Sequence, residues 1–280
     1  MVRITRKVWA GIGAATLIGT HAPASLAQHS MPGMKSEAPD AKAGGKADDK
    51  AATTPAQGGE AYLTDGGPRD TRVRYYRDIA LMRGHIRVGE ELIAEGRWDD
   101  AMPHFLHPTE ELYVKIEPTV KRFKLRPFSR PLKALAQTVK ARRSEAHAAA
   151  LKQVDASLSE ALDGVRRFMV PMRRFTVITA VEVLKVALDE YSTAIENGRF
   201  ALPVEYQDSR GFVWEAEAMI EAIAPELEKM NPASLAGIRA ELRAIKLAWP
   251  APMPPPAPVV PEADISNRID RIEELAKAYQ

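Results

Sequence analysis

The chain has 280 residues, 39 Lys and Arg against 37 Asp and Glu, and a formal charge of +2, which is no nucleic-acid footprint. Aromatic residues make up only 6% while alanine, leucine, glutamate and the basic residues abound, a composition that favours an all-α bundle over a sandwich or barrel. There is no cysteine, which excludes disulfides, thiolate metal sites and lipid attachment through an N-terminal cysteine.

The chain opens like an export signal: Arg3, Arg6 and Lys7, an apolar run from Val8 to Thr20, then small residues at Ser25-Leu26-Ala27. Residues 1–27 are therefore expected to be removed, taking the formal charge from +2 to −1 and leaving a soluble periplasmic protein. Residues 28–68 mix Ala, Gly, Pro, Lys and Asp without periodicity and read as a disordered tether. His29, Met31 and Met34 in this stretch offer imidazole and thioether groups suited to copper(I), so copper handling is one alternative function.

Helical periodicity starts after Pro68. Tyr75, Ile79, Met82, Ile86 and Ile93 predict a helix from Thr71 to about Glu95, stopped by Gly96. Trp98 to Pro103 form a short segment, and Pro108 is expected to open a new helix running to about Phe123. A long pattern from Ser129 to about Phe168 allows one break. Helices follow after Pro171 as far as Asn197-Gly198, from Pro203, and from Asn231-Pro232 to Trp249. No strand ladder is predicted. The bundle thus spans 69–249, followed by a proline-rich linker at 250–261 and an amphipathic helix in 262–280 carrying Ile265, Ile269, Ile272 and Leu275. "ELIAEGRW…PHFLHPTEELY" and "YSTAIENGRF…PVEYQDSRGFV" look like one hairpin used twice, which would bring the second helix of each towards a common axis.

Polar residues on apolar helix faces select a candidate site. His85 lies on the face of Met82, Gly89 and Leu92. Glu205 falls on the line of Phe212, Ala216 and Ile223, with Asp208 at its edge, and Glu182 and Asp189 share a flank that could reach the same cavity. In "HFLHPTEELY", residues 104–113, proline pushes the preceding residue towards extended geometry, so His107 is expected at a helix start, turned back over Glu110, with His104 on the segment before it. His85, His107, Glu110 and Glu205, with His104 and Asp208, would then hold one transition-metal ion: iron, or alternatively copper or zinc. The competing reading makes His85 a hydrogen-bonded core residue, His107 and Glu110 a helix cap, and Glu205 the partner of Arg83 or Arg210. His147, among alanines, is expected at the surface.

His107-Pro108-Thr109-Glu110 resembles the His-x-x-Glu core of the imelysin-like family of exported helical proteins, which includes periplasmic components of iron uptake. The resemblance implies a double helical bundle with His107 and Glu110 at a metal site, and a transporter or receptor component as partner. His-x-x-Glu lacks the two ligands and intervening base of His-Glu-x-x-His, and no phosphate loop or nucleophile elbow appears, so a binding role is expected rather than an enzymatic one. The alternative in a different class is an adaptor bundle that binds a protein partner.

Overall fold

The computed structural model describes residues 68–280; the expected signal and tether, with His29, Met31 and Met34, lie outside the described residues. The first helix, α1, spans Thr71–Ala94, and the Asp70 carboxylate accepts from the Arg72 N–H at its start. Gly96 at φ 75° turns the chain into α2, Trp98–His107. A single π turn, Pro108–Leu112, joins α2 to α3, Tyr113–Arg122. The broad 129–168 pattern resolves into α4, Ser129–Lys140, and α5, Ser144–Arg166, with Arg142 in the left-handed region (φ 50°) at the break.

The second half begins with α6, Met172–Thr193. A two-residue antiparallel ladder follows, β1 (Ile195–Glu196) with β2 (Arg199–Phe200), a small departure from the expected absence of strands. Asn197 and Gly198 both take positive φ between the strands, as a tight hairpin turn requires. Then come α7, Pro203–Ala222, the short α8, Ala224–Met230, and α9, Pro232–Ile245, whose cap Asn231 accepts from the Ser234 N–H. After an irregular stretch, α10 spans Glu262–Ala276.

The all-α expectation holds. Helices α1 and α6 are buried on most sides, through Ile79, Leu81, Met82, Val88 and Leu92 on one and Val177, Val183, Leu184 and Val186 on the other. Each such side chain contributes about 1.5–3 kcal/mol by leaving water. Helix α7 packs on both; α2 covers α1, α4 packs on α2 and α5, and α10 lies against α9 and α6. The apolar stripe Ile265, Ile269 and Ile272 of α10 is buried, and Leu275 at its edge is half-buried.

Two features position the site. Helices α1 and α7 cross with their backbones in contact: a Cβ at Gly211 would stand 2.2 Å from the Gly84 carbonyl oxygen. Residues next to this crossing, His85 on α1 and Asp208 one turn away on α7, are therefore brought face to face. The proline-rich segment 250–261 is a strap fastened at both ends. Arg210 Nη1 donates to the Trp249 carbonyl (2.6 Å), Tyr206 Oη to that of Ala251 (3.0 Å) and Tyr191 Oη to that of Val260 (2.8 Å).

Candidate metal centre

Asp208 is the hub of the site. It is 1% exposed, and its Oδ1 lies 2.6 Å from His85 Nδ1 and 2.7 Å from His104 Nδ1. Its Oδ2 lies 3.3 Å from His107 Nδ1. His85 comes from α1, the other two histidines from the last turn of α2, and the carboxylate from α7. The rings of His85 and His107 meet edge to face at 5.1 Å, and Phe212 closes the far side of His85 at 4.9 Å. His104 Nε2 lies 2.9 Å from Gln207 Oε1, and the Gln207 amide nitrogen donates to the Met253 sulfur of the strap at 3.3 Å.

Burial alone would push the Asp208 carboxyl up, but the charges of His85 and His104 and the hydrogen bonds of His104 and His107 hold it well below the carboxylate range. Burial pushes the His85 imidazole down, against the pull of Asp208. Glu205, half-buried at the rim, is raised to about 7 by burial and then by the Asp208 charge, with His107 pulling the other way and Glu111 adding to the rise.

Of the six residues expected at the site, the structure brings His85, His104, His107 and Asp208 together and sets Glu205 beside them. Glu110 is not brought in; it is exposed. The reason is the π turn. His107 stays helical (φ −50°, ψ −44°) instead of extended, so the helix runs through Pro108 rather than starting there. Pro108 has no N–H for the His104 carbonyl, and the chain widens by one residue, with the Tyr113 N–H reaching the Pro108 carbonyl. That slower advance turns Glu111, not Glu110, towards Glu205. The predicted ranking on α7 is also inverted, since Asp208 is central and Glu205 peripheral. Arg83 and Arg210 bind Asp155 and Glu91 (2.6 Å each) rather than Glu205. Glu182 meets Lys185, which also reaches Glu273 of α10, and Asp189 is pushed up by burial and by Glu262, so these two acids build a different contact. His147 is buried, not superficial: its Nε2 pairs with Glu90 (2.5 Å) and its Nδ1 with Thr138 Oγ1 (2.9 Å).

Gln207, Glu111 and Met253 were not singled out from sequence. Pro108 inside a helical pattern could have warned of a bulge; nothing local marks Met253.

Among the described residues, His85, His104 and Asp208 are the group whose donor atoms all lie within 4.8 Å of one another. Two imidazole nitrogens and one carboxylate oxygen, all buried, form a donor set that several first-row ions accept, iron(II), zinc and copper(II) among them. Donors bound to one ion at about 2.1 Å stand roughly 3–3.4 Å apart, so the two nitrogens, 2.6 and 2.7 Å from Asp208 Oδ1, need to draw back from it by only a few tenths of an ångström. The residues fit such an ion.

Residues 169–280 match the family described as the iron permease-associated 4-helix bundle domain. The matched stretch holds α6 to α10, with Gln207, Asp208 and the strap, while the three histidines lie N-terminal to it. No curated protein and no solved structure matches the chain. The match associates the chain with iron uptake and transport, in a context that is not enzymatic; the imelysin-like resemblance finds no counterpart in it. It also corrects the expected location. A permease is a membrane protein, so a soluble periplasmic protein is not supported, although no helix among the described residues is long and apolar enough to cross a membrane.

Proposed function

We propose that the chain binds a transition-metal cation, iron(II) in the first place, through His85 Nδ1, His104 Nδ1 and Asp208, as a component that works with a membrane iron transporter. The observation that carries this reading is the convergence of three imidazoles from two helices on one fully buried carboxylate. A single hydrogen-bonded core histidine would need one partner; three rings gathered on one carboxylate make a polar core that is costly to desolvate. The similarity of residues 169–280 to a permease-associated domain supports iron as the cargo and a transport component as the partner.

Each group then has a role. Asp208 supplies the negative charge that offsets a divalent ion, and His85 and His104 supply two neutral nitrogen ligands. His107, whose side chain is 22% exposed where those of His85 and His104 are 3% and 0%, stands between the site and solvent. With the Glu205 carboxylate near it, and Glu111 close to Glu205, this mouth attracts a hydrated cation before it sheds water. Phe212 and the helix crossing keep the inner side dry. The competing reading, a polar core that only fixes the register of α1, α2 and α7, predicts no metal.

The test is metal analysis and thermal unfolding of the full chain with iron(II) under exclusion of oxygen. One equivalent should bind, and at 100 times Kd the folded state gains about 2.7 kcal/mol. Asp208→Asn and His85→Ala should abolish this response, and Glu110→Ala should keep it. A wild-type chain that neither retains metal nor shifts its unfolding temperature with iron(II) would overturn the proposal.

A further inference from the structure

The Met253–Gln207–His104 contact chain has a directional logic that the metal reading alone does not explain. A thioether sulfur carries no hydrogen and can only accept. The Gln207 side chain, in a residue only 1% exposed, therefore turns its amide nitrogen to Met253 Sδ (3.3 Å) and its Oε1 to His104 (2.9 Å). Oε1 can only accept, so the proton lies on His104 Nε2. An imidazole bound to a cation keeps one proton; with that proton on Nε2, the lone pair is on Nδ1, the atom that faces Asp208. If the amide were reversed, its N–H would draw the lone pair to Nε2, leave the proton on Nδ1 and point the wrong nitrogen at the site.

We propose that Met253 is a positioning residue of the metal centre: through the Gln207 amide it holds His104 in the tautomer that presents Nδ1 to the cation. The inference rests on the metal-binding reading for its consequence, but the hydrogen-bond relay itself does not. Met253 is suited to the role because it is held from outside the bundle. The strap is fastened by Tyr206 two residues before it, by Arg210 at Trp249 and by Tyr191 at Val260, so the sulfur is presented at a fixed place. The C-terminal segment thereby becomes part of the site, although it contributes no ligand.

Three chains test this: Met253→Leu, which keeps volume and apolarity but removes the acceptor; Gln207→Glu, whose carboxylate accepts from His104 Nε2–H whatever Met253 does; and the double variant. In the metal-free full chain, the ¹⁵N signals of His104 should show Nε2 protonated in the wild type and shifted towards the unprotonated position in Met253→Leu. Iron(II) affinity should fall about tenfold in Met253→Leu, the scale on which outer partners of metal-binding histidines act. The same substitution made on Gln207→Glu should leave both readouts unchanged. An equal loss in both backgrounds would mean that Met253 merely packs the strap, and an unprotonated Nε2 in the wild type would mean that the amide is reversed; either overturns the proposal. Absence of iron(II) binding by the wild type would instead fell the metal reading, while the ¹⁵N signals would still decide the relay.

Discussion

Gly211→Ala tests whether the helix crossing builds the site. Replacing a helical glycine by alanine normally gains about 1 kcal/mol of helix propensity. Here the new Cβ would stand 2.2 Å from the Gly84 carbonyl oxygen and 2.9 Å from its carbon, both backbone atoms of α1 that no rotamer change can move. Ordinary contact would require α1 and α7 to separate by roughly 1 Å, and forcing extra volume into a packed core costs about 1–3 kcal/mol, occasionally more. The separation also pulls His85 Nδ1 away from Asp208, 2.6 Å from it now, and weakens a charge-assisted bond of about 1.5–3 kcal/mol. Net of propensity, the variant should be about 2–4 kcal/mol less stable, a fall in unfolding temperature of roughly 5–15 °C for a domain of this size. Gly237→Ala is the control: its Cβ would meet the tip of Leu275, a side chain that can rotate away. Calorimetry or thermal circular dichroism of both variants is the assay. If Gly211→Ala melts at or above the wild-type temperature, the crossing does not hold the site together and the reasoning fails.

Other outcomes follow from the same contacts. The Glu205 carboxyl is raised to about 7 in the fold, so the native state binds the extra proton; stability is greatest below the unfolded value near 4.5 and declines as pH rises towards 7. Glu205→Gln should remove that decline in the metal-free chain and, after allowing for the partial solvent screening of this residue, gain about 1–3 kcal/mol at pH 8, read from unfolding curves between pH 5 and 8; a pH profile parallel to wild type would refute this. His147→Ala should cost about 2–4 kcal/mol in urea denaturation, because it opens a cavity beside Trp98 and Phe105 and strips Glu90 and Thr138 of a partner. Tyr206→Phe removes one hydrogen bond to the strap at Ala251 and should cost about 1 kcal/mol, with faster amide exchange confined to the residues around Met253.

The amino-acid pattern alone determined the helices and their inward faces, because periodicity and capping are local. His85 was legible for that reason: it sits on the apolar face of α1, and any packing of that face buries it. The Gly96 and Asn197-Gly198 turns were legible too, because a positive φ demands such residues. What the tertiary structure decided is which polar groups meet. Pro108 can open a helix or widen one, and both satisfy the local rules; a continuous α2–α3 path across α1 and α4 selects the π turn, and with it Glu111 over Glu110. On α7, Glu205 and Asp208 lie within one turn of each other, and a helical wheel cannot tell which one faces a neighbour. The contact of Gly84 with Gly211 fixes that rotation and puts Asp208 at the centre. Met253 depended on contacts 46 residues away in sequence, and no local pattern encodes such a distance: the strap delivers its sulfur to Gln207 only because tyrosines of α6 and α7 hold it there.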